Sequence, residues 1–211
     1  MKFNFNNDYY LENDFVILEP LQESHIDDLL KFSLDEPELW TYSLIKADSE
    51  KNLKNYLKLA LKEKENQKEY PFIVYDKINK CYAGSTRFYD IQLENSSLQI
   101  GYTWYGKQFQ RTGLNRHCKF LLLEFAFKIL ETERVEFRAD NENIKSIDAM
   151  KNIGCTTEGV LRSNCPKTDD TRRDSIVLSI LKNEWKRKIR SDLKQKCQPL
   201  AAFMETSNYQ N

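Results

Sequence analysis

Between residues 71 and 130 the hydrophobic periodicity of this chain changes once, and that change restricts the fold more than any other feature. Three extended segments, 71–75, 83–91 and 98–105, are separated by the turn-like stretches Lys77-Ile78-Asn79-Lys80 and Glu94-Asn95-Ser96-Ser97. Hairpins of that kind predict an antiparallel meander. After Gly113, the residues Leu114, Cys118, Leu121, Leu122, Phe125, Ala126 and Ile129 recur at three- and four-residue spacings, the mark of a long amphipathic helix. A strand is therefore expected to enter a helix through a short glycine-bearing loop. The start of such a helix offers unpaired backbone amides and the positive end of its dipole, a natural seat for an anion.

The flanking sequence extends this pattern. Residues 14–19 form an apolar run closed by Pro20, and 22–34 place Ile26, Leu29, Leu30 and Leu34 at helical intervals. Asp48 is expected to cap a second helix with Leu53, Tyr56, Leu57, Ala60 and Leu61 on its apolar face, ending near Gln67. Further on, 134–139 alternates as a strand, 143–153 spaces as a helix stopped by Gly154, and 174–181 is a buried strand. A polar helix over 183–196 closes the chain, and the tail after Pro199 is expected to be mobile. The expected order is β-α-α-β-β-β-α-β-α-β-β with a C-terminal helix. This is a mixed α/β (α+β) class with a central, mostly antiparallel twisted sheet, neither doubly wound nor a barrel. With 211 residues, 40% of them apolar, one domain with its own core is expected. Its core would span about 13–185, with 186–211 as a helical extension and tail.

Thirty-two basic residues balance thirty-two acidic ones, which argues against a protein that coats nucleic acid. The balance fails locally. No Asp or Glu occurs between Glu94 and Glu124, whereas Lys107, Arg111, Arg116 and Lys119 all fall there. Taken alone, Gly113 fits the plainer reading of a tight turn with solvated neighbours; the missing acids point to a compact anion such as a pyrophosphate. Neither GxxxxGK[ST] nor GxGxxG is present, so a Walker loop and the dinucleotide fingerprint are excluded. The N-terminus lacks a signal-peptide pattern and no run of eighteen apolar residues occurs, so a cytoplasmic protein without membrane contact is expected. Five cysteines without a CxxC pair fit reduced thiols, and two histidines, His25 and His117, exclude a His-rich metal centre, so no metal is expected. Cys165 reads as a plain thiol, His25 as structural, and His117 as solvent-facing or touching phosphate. The basic stretch 186–190 reads as a solvated helix face.

Six ordered segments carry a family likeness: GSTRFYDI at 84–91, QIGYTWY at 99–105, QRTGLN at 110–115, RVEFRADNENIKS at 134–146, IGCTTEGVLR at 153–162 and RRDSIVLSILKNEW at 172–185. In order and spacing they resemble the GCN5-related N-acetyltransferases, particularly the branch that acetylates ribosomal-protein N-termini (RimJ/RimL-like). The likeness covers about 13–185. Five of the six glycines, Gly84, Gly101, Gly113, Gly154 and Gly159, lie inside these segments.

The resemblance implies an acetyl-CoA-dependent N-acetyltransferase that moves an acetyl group to a primary amine, a protein N-terminus or a small molecule, by direct attack in a ternary complex. A non-catalytic acyl-CoA-binding sensor or scaffold is the alternative. It further implies that Gln110, Arg111, Thr112, Gly113, Leu114 and Asn115 wrap the pyrophosphate, with Asn115 replacing a small residue. The backbone of Tyr102, Thr103 and Trp104 would hold the pantetheine arm, and Asn143 and Ser146 would reach the coenzyme near its sulfur. Gln99 stands where many relatives carry Glu and cannot act as a base. Met150 stands where many carry an acidic tyrosine. Ser146, with Asn143 beside it, is then the expected donor to the leaving thiolate, and the base is unassigned. The acceptor pocket is expected around Trp40, Tyr42, Arg87, Tyr89 and Trp104. Nucleic acid is not an expected partner, and a homodimer is compatible with the likeness.

Overall fold

A computed structural model describes residues 1–198. Eight strands form one sheet in the order β1-β2-β3-β4-β5-β6-β8-β7: β1 Leu11–Glu12, β2 Val16–Pro20, β3 Tyr70–Asp76, β4 Cys81–Gln92, β5 Ser97–Tyr105, β6 Arg134–Asp140, β7 Thr156–Pro166 and β8 Arg172–Leu181. Every neighbouring pair is antiparallel except β5 and β6. The meander of β3, β4 and β5 is as the turns predict. The short β1 escapes the periodicity because two residues cannot display a period. The last segment resolves into two strands, of which β7 is the outer edge and is exposed along most of its length.

Helices α1 Ile26–Asp35 and α2 Glu50–Glu65 cover one face of the sheet, and α3 Leu114–Glu124 covers the other. Alternation along β4 separates the two sides. Arg87 faces Tyr56 of α2 at 4.8 Å, whereas Phe88 stacks near Phe125 beyond α3 at 6.1 Å. Helix α2 is capped not by Asp48 but by Ser49, whose Oγ accepts from the Asn52 amide at 3.2 Å; Asp48 instead takes the Asn52 side chain at 2.7 Å. The helical run after Gly113 continues beyond α3 through a π-turn at Phe125–Ile129. Helix α4 Ile144–Asn152 follows β6.

The closing segment comprises α5 Lys182–Glu184, a π-turn at Trp185–Ile189 and α6 Arg190–Lys196. It is docked on α3: Arg190 donates twice to Glu124 at 2.7 Å, and the buried Trp185 stacks on Phe127 at 5.6 Å. The tail after Pro199 lies outside the described residues. No helix among the described residues is long and apolar enough to cross a membrane.

Candidate active site

The one parallel pair in the sheet is also an incomplete pair. Strand β5 meets β6 only at Ser97–Gln99, opposite Arg134–Glu136, while β6 continues to pair with β8 as far as Asp140. Beyond Gln99 the two strands part. Residues 100–105 of β5 and 137–140 of β6 are the arms of a V, closed at one end and open at the carboxyl ends of both strands, where α/β folds place their ligands. Helix α3 follows β5 and α4 follows β6, so both helix N-termini stand at that open end.

A bulge bends β5 along the V. Ser85 pairs with Trp104 and Arg87 with Gly101, leaving Tyr102 and Thr103 opposite the single residue Thr86. Tyr102 takes the left-handed conformation at φ 50°, an uncommon backbone state for an aromatic residue. Gly84 permits the tight approach beside it, since a Cβ there would lie 2.1 Å from the Trp104 carbonyl oxygen.

At the mouth, Gly113 is the N-cap of α3 with φ 98°. A Cβ at this position would meet nothing closer than 3.4 Å, so backbone conformation rather than space demands glycine. Arg111 beside it is also left-handed, at φ 64°. Two side chains brace the loop from within: Gln110 Nε2 donates to the Tyr105 carbonyl at 3.1 Å, and Thr112 Oγ1 donates to the Phe109 carbonyl at 2.8 Å. The Leu114 amide is taken by Thr112 Oγ1. The amides of Arg111, Thr112, Gly113 and Asn115 have no hydrogen-bond partner among the described residues. Four unpaired amides at a helix N-terminus form an anion nest. A cavity of about 470 Å³ adjoins this first turn, lined by Phe15, Asp76, Asn79, Gly113, Arg116 and His117 among others.

The basic residues of the stretch do not act together. Arg111 and Arg116 are exposed and make no ion pair among the described residues. Lys107 is tied to Glu38. Lys119, which the sequence groups with the cations of the anion-binding stretch, is 5% exposed and buried beneath the sheet. His117 is not solvent-facing; it is half-buried, stacked on Phe15 at 4.3 Å and hydrogen-bonded to Asn13 at 3.2 Å. Burial, then the nearby Arg116 charge, lowers its proton affinity.

Across the mouth, Asn143 caps α4, its Oδ1 accepting from the Ser146 amide at 3.1 Å. Ser146 is half-buried, and its hydroxyl has no partner among the described residues. Met150 is buried in the core. At the closed end of the V, Gln99 is buried and donates to Asp90 at 2.6 Å, with its Oε1 unpartnered.

Of the side chains expected around the acceptor, Trp40, Arg87, Tyr89 and Trp104 gather on the α2 face. Arg87 is 1% exposed, paired to Glu69 at 2.6 Å and sandwiched between Tyr102 at 4.0 Å and Tyr56 at 4.8 Å. Trp40 meets Trp104 edge-on at 4.9 Å and tilts against Tyr56 at 5.8 Å; both indoles are core side chains. Tyr89 packs edge-on against Tyr102, and Tyr42 is exposed. Four buried N–H groups in this cluster have no partner among the described residues: Trp40 Nε1, Trp104 Nε1, Arg87 Nε and Arg87 Nη2. Glu69 and Tyr56 belong to the cluster although no motif marks them. Burial pushes the Tyr102 phenol above its ordinary proton affinity.

Residues 16–156 match the model of the "Acetyltransferase (GNAT) domain" family. The chain is 29% identical over 121 residues to the uncharacterized N-acetyltransferase YnaD of Bacillus subtilis (strain 168), spanning 57% of this chain and 68% of that protein. Its fold matches the crystal structure of a GCN5-related N-acetyltransferase from Brucella melitensis with a TM-score of 0.84 and 24% identity, over 93% of this chain and 88% of that one. A ribosomal-protein-S5-alanine acetyltransferase from Vibrio fischeri shares the fold at a TM-score of 0.68 and 17% identity, over 84% and 99% of the two chains.

Proposed function

This chain belongs to the GNAT acetyltransferase family and is an N-acetyltransferase; from that premise we propose that it takes its acetyl group from acetyl-CoA. The observation that carries the reading is the pairing of a splayed V with four partnerless amides at its mouth. A pyrophosphate would sit on the amides of Arg111, Thr112, Gly113 and Asn115, with Arg111 and Arg116 offering charge. The backbone of Tyr102, Thr103 and Trp104, whose Tyr102 carbonyl accepts from the Tyr56 hydroxyl at 3.3 Å, would offer its remaining groups to the amides of an extended arm as a neighbouring strand does. Gln110 serves the site by holding the loop against Tyr105 rather than through its own side-chain contact.

Transfer requires a neutral amine close to the thioester carbonyl and a donor for the departing sulfur. Ser146 stands at the mouth with an uncommitted hydroxyl, and Asn143 orients it by capping its helix. The acceptor we propose is a peptide N-terminus; the Vibrio fischeri protein that shares the fold is a ribosomal-protein-S5-alanine acetyltransferase. The four buried N–H groups near Tyr102 lack hydrogen-bond acceptors, while the Arg87 charge is already balanced by Glu69. Neutral backbone carbonyls would meet that need. A polyamine, which carries only donors, would not.

Calorimetry with acetyl-CoA, and thiol release with N-terminal peptides against polyamines, test both parts. Binding of acetyl-CoA by the wild type and its loss in Gly113→Glu is the expected result, because the new carboxylate would face the amide nest. Equal affinity in the two proteins refutes the nest. Faster turnover with spermidine than with any peptide refutes the acceptor class.

A further inference from the structure

Arg173 of β8 is 7% exposed, yet its guanidinium makes no ion pair and no hydrogen bond among the described residues. Its Nε is sealed from solvent without a partner, whereas the two terminal nitrogens, equally partnerless, are not sealed. The carboxylates around it are committed elsewhere. Asp140 and Glu142 take Lys167 at 3.3 and 2.8 Å, Glu136 takes Arg134 at 2.7 Å and Arg138 at 2.6 Å, and Glu69 holds Arg87. Asp174 accepts the Ser163 amide at 2.7 Å. An unmatched charge in so buried a place is costly, and an open fork of N–H donors is the group that pairs with a carboxylate through two parallel bonds.

Strand register carries Arg173 to the acceptor side of the V. Tyr89, two residues beyond Arg87 on the α2 face, pairs with Gln99, and Gln99 pairs with Glu136. Alternation along β6 takes the same face to Asp140, which pairs with Ser175, two residues from Arg173. Arg173 therefore shares the face of Arg87 and Tyr89, just past the last residue of β6. There the Asn141 amide donates to the Asp174 carbonyl at 2.9 Å and ties the start of the Asn143–Ser146 turn to β8, so Arg173 stands at the mouth and not at the closed end. From the other arm, Tyr89 leans across β5: a Cβ on Gly101 would meet its ring at 2.6 Å, and that ring packs against Tyr102 at 5.2 Å. Burial raises the proton affinity of both phenols, and the Arg173 charge is among those that oppose the rise in each, which sets the guanidinium within electrostatic reach of the pair.

On the reading that the acceptor is a peptide N-terminus, we propose that Arg173 binds a carboxylate of that peptide, the side chain of an Asp or Glu within its first two residues. The amine has to reach the thioester beside Ser146, and Arg173 stands next to the turn that carries Ser146. The carboxylate then belongs to a residue close to the amine, since two extended residues already span about 7 Å. Arg87, its charge balanced by Glu69, is left to meet neutral carbonyls, while Arg173 tells an acidic peptide from a neutral one.

Peptides identical except for Glu or Gln at the first or second position separate charge from size. Thiol release at saturating acetyl-CoA is expected to give a kcat/KM at least about tenfold higher for a Glu peptide than for its Gln twin, the worth of a charged hydrogen-bonded pair. In Arg173→Gln that ratio is expected to fall to near one, and Arg173→Lys is expected to keep part of it. Calorimetry of the N-acetylated Glu and Gln peptides on the wild type, which needs neither turnover nor a folded variant, is expected to show the same order of affinity. Equal kcat/KM for Glu and Gln peptides in the wild type overturns the proposal. So does a Glu preference that survives in Arg173→Gln, or a variant that loses both peptides equally, as a structural role would have it. Free glutamate outrunning every peptide, with that lead lost in Arg173→Gln, keeps the carboxylate pairing and refutes the peptide reading. Binding of acetyl-CoA with no peptide acetylated refutes the peptide reading and this proposal together, and absence of acetyl-CoA binding refutes the nest.

Discussion

Gly113 and Lys119 stand six residues apart on one loop and helix, and their surroundings treat them differently. Gly113 is required for its φ of 98°, and Lys119 carries a charge that burial penalises. The penalty has a thermodynamic signature. Lys119 is held at about 8 in the folded protein against about 10.4 in the unfolded chain. Below pH 8 both states are protonated and the fold bears the full cost, on the order of 3 kcal/mol. Between pH 8 and about 10 the folded lysine is neutral while the unfolded one still binds a proton, so stability rises with pH. Denaturant melts at pH 7 and 9.5 are expected to show Lys119→Met more stable than wild type at pH 7 and most of that gain gone at pH 9.5. At Ser146 the expected effect is kinetic: Ser146→Ala should lower kcat about tenfold or more and leave acetyl-CoA affinity within about twofold, the pattern of a group that acts on the departing proton. An unchanged kcat removes Ser146 from that role.

At the scale of elements, the V arises because β5 serves two partners of unequal reach. It pairs with β4 from Gly84 to Gln92 but with β6 over three residues only. The bulge at Tyr102 and Thr103 turns the free part of the strand toward the gap. Helix α2 then frames the acceptor side, carrying Tyr56 against Arg87. Its N-cap is a point where the element can be weakened without touching the V. Ser49→Ala removes the bond to the Asn52 amide, and a loss of about 1 kcal/mol in chemical denaturation is expected, with coenzyme affinity intact. The meander and the helix after Gly113 were readable because period two and period 3.6 are local properties. The strand β1 and the Ser49 cap were not, since two residues hold no period and Asp48 and Ser49 are both competent caps.

Across the whole molecule, the closing helix connects the far end of the chain to α3. Trp185 is buried against Phe127, and Arg190 clasps Glu124. Trp185→Ala should cost about 3–5 kcal/mol, or roughly 10 °C in melting temperature for a chain of this size. A fall of less than about 2 °C would show the closing helix to be an appendage. The sequence by itself determined the order of the longer elements, the glycine loop between strand and helix, and the family, because these rest on spacing along the chain. Only the tertiary structure decided which charges are available. Lys107 is taken by Glu38, Lys119 is buried under Thr103, and Arg87 is matched by Glu69 eighteen residues away. The physical reason is that periodicity tells which face a side chain occupies, whereas desolvation and pairing depend on what another element lays over that face.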